Sequence, residues 1–238
     1  MNDSHYLIEY RFQGSSKYEI RSMIDHLKKK FHLSSFGKTV PHISLVGGLT
    51  TDSESRLIKD FVSICSETPL CKYTVDGFGY FENATGVVFI NIHPNENLKI
   101  FRWALAQKFA PYCKLKKFDY NQDFKFHATL AMNLNDRDFA KIRKYIDTQK
   151  EPKYKQILIR VTMLKNSKIL CEYDFLQRRL LNRNEALSKK ELTKTFRLLE
   201  EFFKGNYNPN IESESSSKMI PQEGSWLAKI PLIGRLFF

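Results

Sequence analysis

The chain has 238 residues, of which 42% are hydrophobic, and it carries a formal net charge of +12 at pH 7. A chain of this size can bury one sizeable core or two small lobes. Its four cysteines include no Cys-x-x-Cys pair, which argues against a disulfide scaffold and against a cysteine-based zinc site. No apolar run approaches the roughly 20 residues that span a bilayer.

The excess positive charge belongs to residues 1–204, because residues 205–238 hold three basic and three acidic side chains. Such a surplus favours polyanionic partners, above all nucleic acid, although solvated surface lysines would give the same total. The N-terminal stretch MNDSHYLIEY has no basic segment followed by an apolar one, so we expect a cytoplasmic protein.

The first half of the chain predicts three strands separated by two helices. Alternation of apolar and polar residues indicates strands, and apolar residues three or four apart indicate helices. Ser16 with Glu19, and Thr51 with Glu54, have the spacing of capping boxes that begin the two helices. The predicted order is strand 5–12, helix 17–31, strand 41–49, a helix from residue 54, and strand 71–81.

The second half repeats this order and then adds a hairpin. Asn166 and Ser167 lie between the last two strands and suit a tight turn. The predicted elements are strand 86–92, helix 96–109, strand 124–132, helix 136–147, strand 157–165 and strand 168–175.

The remainder of the chain divides by composition. Residues 182–203 have the apolar spacing of one helix, residues 205–224 resemble a linker, and residues 225–238 read SWLAKIPLIGRLFF. The last segment is apolar and aromatic, and it suits packing on its own domain, docking on a partner or attachment to a membrane surface. We therefore expect a domain over 1–176, a helical extension over 177–204, and a linker with an apolar tail over 205–238.

The most informative feature is a motif that occurs twice with an offset of 85 residues. HISLVGGL begins at His42 and HATLAMNL begins at His127, and both fit H-x-[ST]-L-x-x-x-L. Each stretch lies on a predicted strand that precedes a predicted helix. Self-similarity of residues, spacing and context indicates two related structural units.

On a strand, side chains two residues apart share a face. His42 therefore shares a face with Ser44, and His127 with Thr129. Two similar lobes related by a pseudo-twofold axis would bring all four side chains to one cleft. A single H-x-[ST] is weak evidence, and His32 with Ser34 fits it after a helix end, without strand alternation. For His5, His26 and His93 we expect ordinary structural roles.

With these two motifs and the strand order around them, residues 4–176 resemble the 2H phosphoesterases. The closest resemblance is to the LigT branch, which comprises 2'-5' RNA ligases and RNA 2',3'-cyclic phosphodiesterases. The resemblance implies an α+β fold with two pseudo-symmetric lobes, in which antiparallel sheets flanked by helices surround a central cleft. It implies that the enzyme opens 2',3'-cyclic phosphate ends of RNA to 2'-phosphomonoesters, with 2'-5' ligation as the same displacement by another nucleophile.

The chemistry needs one group that removes a proton from water and another that protonates the departing ribose oxygen. His42 and His127 suit these roles without a metal or a cofactor, and Ser44 and Thr129 suit hydrogen bonding to phosphoryl oxygens. The sequence does not decide which histidine is the acid. We take Lys38 and Lys125, close before the motifs, as candidate substrate-binding residues. Other lysines and aromatic residues near the motifs suit either substrate contact or ordinary surface and core roles: Lys114, Lys116, Lys117, Tyr80, Phe81 and Tyr120.

Two other functions remain open at this point. One is the same chemistry on a 2'-5' linked oligonucleotide or a small cyclic nucleotide, and the other is a non-catalytic RNA-binding module. Paired titratable histidines argue against the second, because binding alone would favour permanent cations. We expect a monomer.

Overall fold

The computed structural model describes residues 4–33, 40–82 and 85–208. Within them, nine strands form two antiparallel sheets: β1 (His5–Arg11), β2 (His42–Thr50), β3 (Cys71–Glu82), β4 (Gly86–Pro94), β5 (His127–Leu134), β6 (Lys153–Leu158), β7 (Arg160–Lys165), β8 (Lys168–Asp174) and β9 (Arg179–Asn182). Sheet A has the strand order β2-β1-β7-β8-β9, and sheet B has the order β5-β4-β3-β6. Lys38, and the tail from residue 209 onwards, lie outside the described residues.

In the same described ranges, six α-helices flank the sheets: α1 (Gly14–Phe31), α2 (Glu54–Glu67), α3 (Glu96–Phe109), α4 (Asp136–Ile146), α5 (Arg183–Ala186) and α6 (Lys189–Lys204). The structure confirms the α+β class with antiparallel sheets flanked by helices. None of the helices in the described part of the chain is long and apolar enough to cross a membrane.

The predicted repeat is visible in the topology. The units β1-α1-β2 and β4-α3-β5 each end in an edge strand that pairs with the first strand of its own unit. The helices contact the opposite units, because α1 lies against β5 and α3 lies against β2. This reciprocal packing is what a pseudo-twofold relation between the lobes requires.

One continuous hydrophobic core joins the two lobes. Ile43 and Leu45 of β2, and Ala128 and Leu130 of β5, are all buried in it. Their neighbours His42, Ser44, His127 and Thr129 are only partly buried. The strand alternation therefore places the motif side chains on the faces opposite the core, as predicted.

The hairpin prediction is confirmed, whereas the predicted strand over 157–165 is wrong in one respect. Asn166 and Ser167 both have positive φ, at 48° and 64°, which suits a tight turn between β7 and β8. Ile159 divides the predicted strand, so that β6 joins sheet B and β7 joins sheet A. The apolar pattern continues through Ile159 because this residue is itself buried where the chain crosses between the sheets.

Both capping-box predictions are wrong. Helix α1 begins at Gly14 after Gln13, and α2 begins after Ser53, in each case without a side-chain cap. Thr51 instead accepts a hydrogen bond from the Ser53 amide. A capping box does occur at α5, where Asn182 and Glu185 cap each other's backbone.

The single helix predicted over 182–203 is also wrong, because the segment contains the end of β9 followed by two helices. Strand β9 pairs with β8, so the boundary suggested at residue 176 falls inside sheet A. Helix α6 packs on Ile159 and Leu176 through Leu198 and Leu199.

A buried polar cluster holds α6 to sheet A. The Asp174 carboxylate accepts hydrogen bonds from Arg160 Nε at 2.8 Å, from the Gln177 amide at 2.8 Å and from the Thr195 hydroxyl. Asp174 and Thr195 are fully buried. Buried charges are tolerated when they are paired and hydrogen-bonded, and this cluster meets that condition.

We expect Asp174→Ala to lower the free energy of unfolding by about 3–5 kcal/mol, because it leaves the buried guanidinium of Arg160 without its closest carboxylate. The exposed pair of Arg21 and Asp25 provides a control, and Asp25→Ala should cost less than about 1 kcal/mol. Urea unfolding measures both values, and equal losses would contradict the structural role of Asp174.

Candidate active site

The two motif strands lie at the edges of their sheets, and these two edges meet. Strand β2 ends sheet A, β5 ends sheet B, and the two strands contact each other. Both histidines stand at the first position of their strands. The fold thus brings together two short motifs that are 85 residues apart in the chain.

An edge strand presents unpaired backbone groups, and a buried ion pair satisfies some of those of β2. Arg102 of α3 donates from Nε to the Leu45 carbonyl at 3.1 Å and bonds the Asp119 carboxylate at 3.0 Å. Asp119 in turn accepts a hydrogen bond from the Gly47 amide. Arg102 and Asp119 are both almost fully buried, so this contact fixes the free side of β2.

Each histidine is oriented by the same backbone contact. His42 Nδ1 lies 2.8 Å from the Val40 carbonyl oxygen, and His127 Nδ1 lies 2.8 Å from the Lys125 carbonyl oxygen. A carbonyl oxygen can only accept, so Nδ1 carries the proton in both rings. In the neutral ring Nε2 is then the nitrogen with a lone pair, free to take a proton from a ligand.

The two hydroxyl groups lie beside the histidines on the same strand faces. Ser44 of β2 is opposite Glu9 of β1, and Thr129 of β5 is opposite Phe89 of β4. In the described part of the chain neither hydroxyl donates a hydrogen bond to a protein group, so each is available to a ligand.

The wall beside His42 is a row of polar residues across sheet A. Glu9 of β1 is opposite Ser44 on one side and Thr162 of β7 on the other, and Thr162 is opposite Glu172 of β8. Glu9, Thr162 and Glu172 are each less than 5% exposed. Thr162 donates a hydrogen bond to Glu172 at 2.8 Å, while burial raises the pKa of Glu172.

The first carboxylate of that row lies next to His42. Glu9 Oε2 is 3.7 Å from His42 Nε2, and Glu9 Oε1 accepts a hydrogen bond from Arg11 Nε at 2.6 Å. A separation of 3.7 Å is too long for a hydrogen bond but suits an ion pair with a protonated ring. Glu9 can therefore stabilise positive charge on His42 without binding the Nε2 proton.

The wall beside His127 is aromatic. The rings of Phe81 and Phe89 each lie 5.1 Å from the His127 ring, measured between centroids. Gly79 makes room for this packing, since a Cβ at that position would overlap the Phe89 ring and the Asn91 side chain. The His127 ring is therefore surrounded by apolar groups where His42 has a carboxylate.

These surroundings lower the pKa of His127 below its usual value of 6.5. The largest cause is burial, which disfavours the charged ring. The positive charges of His42 and Lys125 lower the pKa further, and the hydrogen bond to the Lys125 carbonyl opposes them. The lowered pKa favours the neutral form of the His127 ring.

The lysines predicted near the site have different surroundings. Lys125 is exposed two residues before His127, where its charge acts on that ring. Lys116 lies over Gly48 of β2, whereas Lys114 forms an isolated backbone bridge to Thr50. No contact is described for Lys38, which lies outside the described residues.

The aromatic candidates separate in the same way. Phe81 lies against His127, Tyr80 donates a hydrogen bond to Asp147, and Tyr120 is 52% exposed on the turn Lys117–Tyr120. Of these three rings, only Phe81 is described in contact with a motif side chain.

Sequence reasoning missed Glu9 and Arg11. Both occupy the polar positions of the alternating pattern in β1, which predicts a face exposed to solvent. Strand β1 lies inside sheet A, between β2 and β7, and Glu9 is only 2% exposed. The sequence does show an acidic and a basic residue two positions apart on one strand face, which indicates an ion pair. Their burial could not be predicted, because it depends on the neighbouring strands.

No group of three or more His, Cys, Asp or Glu side chains in the described ranges has an arrangement that could hold a metal ion. The two motif histidines lie on separate strands, and the nearest carboxylate, Glu9, contacts only the first of them.

Comparison with known proteins places the chain in a family. The family model of the 2'-5' RNA ligase superfamily matches residues 16–168, which include both motifs. No curated protein sequence matches the chain. Among solved structures, Escherichia coli LigT in its apo form has 17% sequence identity and a TM-score of 0.47, with 73% of this chain and 98% of LigT covered.

Two further solved structures are similar to a comparable degree. Kluyveromyces marxianus Usb1 has 12% identity and a TM-score of 0.46, with 76% of this chain and 98% of Usb1 covered. Escherichia coli LigT complexed with 3'-AMP has 17% identity and a TM-score of 0.43, with 75% of this chain and 93% of LigT covered.

The pKa of His127 provides a direct test of the site geometry. We expect it to lie below 6.5, and His42→Gln should raise it because the variant removes a cation that repels the protonated ring. Titration of the imidazole signals by NMR measures both values. His93→Gln, a change at an exposed histidine, should leave the titration of His127 unchanged. An unaltered curve in His42→Gln would show that the two rings are not coupled.

Proposed function

The chain belongs to the 2'-5' RNA ligase superfamily, a family of phosphoesterases and RNA ligases, and on that basis we propose that it opens 2',3'-cyclic phosphate ends of RNA to 2'-phosphomonoesters. The observation that carries this proposal is the unequal pair of histidines. Both rings present Nε2 from adjoining strands, but one lies beside a carboxylate and the other in apolar surroundings.

In this proposal His127 is the general base. Its lowered pKa keeps the ring neutral at pH 7, and the Nδ1 contact leaves the Nε2 lone pair free. Nε2 takes a proton from the attacking water as the water oxygen bonds to phosphorus. A general base must be unprotonated at the working pH and still basic enough to accept the proton.

His42 is then the general acid. As the bond between phosphorus and the 3' oxygen breaks, Nε2 of protonated His42 gives its proton to that oxygen and leaves a 3'-hydroxyl and a 2'-phosphomonoester. Glu9 stabilises the protonated ring from 3.7 Å without accepting the proton in a hydrogen bond. The negative charge of Glu9 is itself held by Arg11.

Ser44 and Thr129 are proposed to donate hydrogen bonds to the non-bridging oxygens of the phosphoryl group. Each hydroxyl lies two residues after its histidine, on the same strand face. Such donors stabilise the charge that develops on these oxygens and hold the phosphorus between the two imidazoles. Because the imidazoles supply both proton transfers, the mechanism as proposed uses no metal.

The surroundings of the site support RNA as the substrate class. The net charge of +12 suits an RNA backbone, and Lys125 is exposed beside the second motif. Phe81 presents a partly buried ring next to His127, where a terminal base could stack. Attack by an RNA 5'-hydroxyl in place of water would break the same bond to the 3' oxygen and form a 2'-5' linkage.

The two histidine variants test this function. With an RNA oligonucleotide that ends in a 2',3'-cyclic phosphate, His42→Ala and His127→Ala should each lower kcat by about 10²–10⁴-fold, because each removes one proton transfer. His93→Ala is the matched control and should retain full activity. Wild-type turnover should be unchanged by a metal chelator.

Identification of the product decides between the possible reactions. A 2'-monoester supports the proposal, whereas a 3'-monoester would mean that the other bond to phosphorus breaks. Two fully active alanine variants would exclude catalysis by these histidines. Cleavage of a 2'-5' linked oligonucleotide in preference to the cyclic end would assign the same site to the alternative substrate.

The role of Glu9 has its own test. Glu9→Gln keeps the shape of the side chain but removes its negative charge, so kcat should fall by roughly tenfold, since one ion pair next to a reacting group contributes about 1–2 kcal/mol. KM should change little because Glu9 does not contact the phosphate in this proposal. Glu54→Gln, at a carboxylate bonded to Tyr6 and Lys165 instead, is the control. An unchanged kcat in Glu9→Gln would remove Glu9 from the mechanism.

A further inference from the structure

The structure has a cavity of about 640 Å³ whose lining includes neither His42 nor His127. Residues of β1, β3, β4, β6, α6 and the start of α1 line it. Its large apolar side chains include Tyr10, Tyr73, Ile157, Ile159, Phe196 and Leu199. Tyr10 lies between Glu9 and Arg11 on β1, so the cavity is on the opposite face of that strand from the proposed active site. Pockets that bind ligands typically have volumes of about 300–1,000 Å³, and this cavity falls in that range.

Helix α6 forms one wall of the cavity with an incompletely covered apolar face. Phe196, Leu199 and Phe203 line the cavity, and Phe203 remains 53% exposed at its edge. The opposite rim carries the exposed side chains of Lys72 and Lys155. An apolar pocket with a polar rim is typical of a docking site.

The described chain ends beside this cavity. Gly205, with φ of 79°, terminates α6, and the Tyr207 hydroxyl donates a hydrogen bond to the Leu176 carbonyl at 2.8 Å. Tyr207 lines a neighbouring pocket, and Lys72 and Asn95 belong to both pockets. The end of the described chain therefore lies in a pocket that adjoins the cavity.

We propose that residues 225–238, SWLAKIPLIGRLFF, dock in this cavity of their own chain. The segment offers three aromatic and five large aliphatic side chains: Trp226, Phe237, Phe238, Leu227, Ile230, Leu232, Ile233 and Leu236. Residues 209–224 connect it to the domain and span at most roughly 55 Å when extended. A tether of this length gives an effective concentration in the millimolar range, so even weak docking is well populated.

Charge complementarity comes from the connecting residues, since the segment itself carries Lys229 and Arg235. Glu212 and Glu214 of the connecting residues can approach Lys72 and Lys155 at the rim. Pro231 disfavours a continuous helix through the segment, which suits an irregular cavity better than the long amphipathic helix that binds a membrane surface. Docking on this face leaves the two histidines accessible, so the inference is independent of the proposed function.

Fluorescence of Trp226 tests the docking in the full chain. The chain has two tryptophans, so Trp103→Phe leaves Trp226 as the only indole. In dilute purified protein we expect emission at short wavelength and weak quenching by acrylamide. Phe203→Asp, at the cavity edge, should shift the emission to longer wavelength and increase quenching several-fold. Tyr18→Asp is the matched control, because Tyr18 is a 55% exposed aromatic residue on α1.

A variant in the tail distinguishes loss of docking from misfolding of the domain. Trp226→Asp should open the cavity and increase the binding of the dye 1-anilinonaphthalene-8-sulfonate, while the circular dichroism spectrum stays that of the wild type. Emission typical of a solvent-exposed indole in the Trp103→Phe protein would overturn the proposal. A short-wavelength emission that appears only with anionic phospholipid vesicles, or only at protein concentrations where a dimer sediments, would assign the segment to a membrane or to a second copy instead.

Discussion

The contact between the two edge strands is the constraint on which the rest of the molecule depends. Each motif strand is fully paired on one side only, and the contact of β2 with β5 is what places two distant histidines together. The position of β2 is secured from α3, where the buried pair of Arg102 and Asp119 binds its free backbone groups. The shared core beneath both strands leaves the motif side chains as the groups that point outwards.

The two halves of the site are alike in backbone and unlike in chemistry. The contact from Nδ1 to the carbonyl two residues earlier is the same in both rings, so both present Nε2. The second strand of each sheet then supplies different neighbours, Glu9 for His42 and Phe89 for His127. Glu9 places a negative charge beside one ring, whereas burial among apolar groups lowers the pKa of the other. The repeated backbone thus gives the two rings the same orientation, and the neighbouring strands give them different surroundings.

Residues 160–204 complete the structure around this site. Strand β9 extends sheet A, and the cluster of Arg160, Asp174 and Thr195 fixes α6 against it. Arg160 also faces Glu172, at the far end of the polar row that begins at Ser44. The same residues that hold α6 therefore support the wall beside His42. The other face of β1, where Tyr10 lies, borders the cavity, so the two sides of one strand serve the proposed site and the proposed docking surface.

The sequence alone determined the repeat, the two H-x-[ST] motifs, the alternation that directs their side chains and most of the helices and strands. These features depend on local periodicity, which a chain carries wherever it folds. The tertiary structure decided sheet membership, strand pairing and burial, which local periodicity does not specify. The crossing at Ile159 sends two halves of one apolar run into different sheets, and β9 acquires its place by pairing with β8. Glu9 became a buried neighbour of His42 because strands on both sides cover β1, and the pKa of His127 fell because aromatic rings from two other strands surround it. Burial and electrostatic environment arise from contacts between distant segments, so residues that look equivalent in the sequence acquire different chemistry only when the chain is folded.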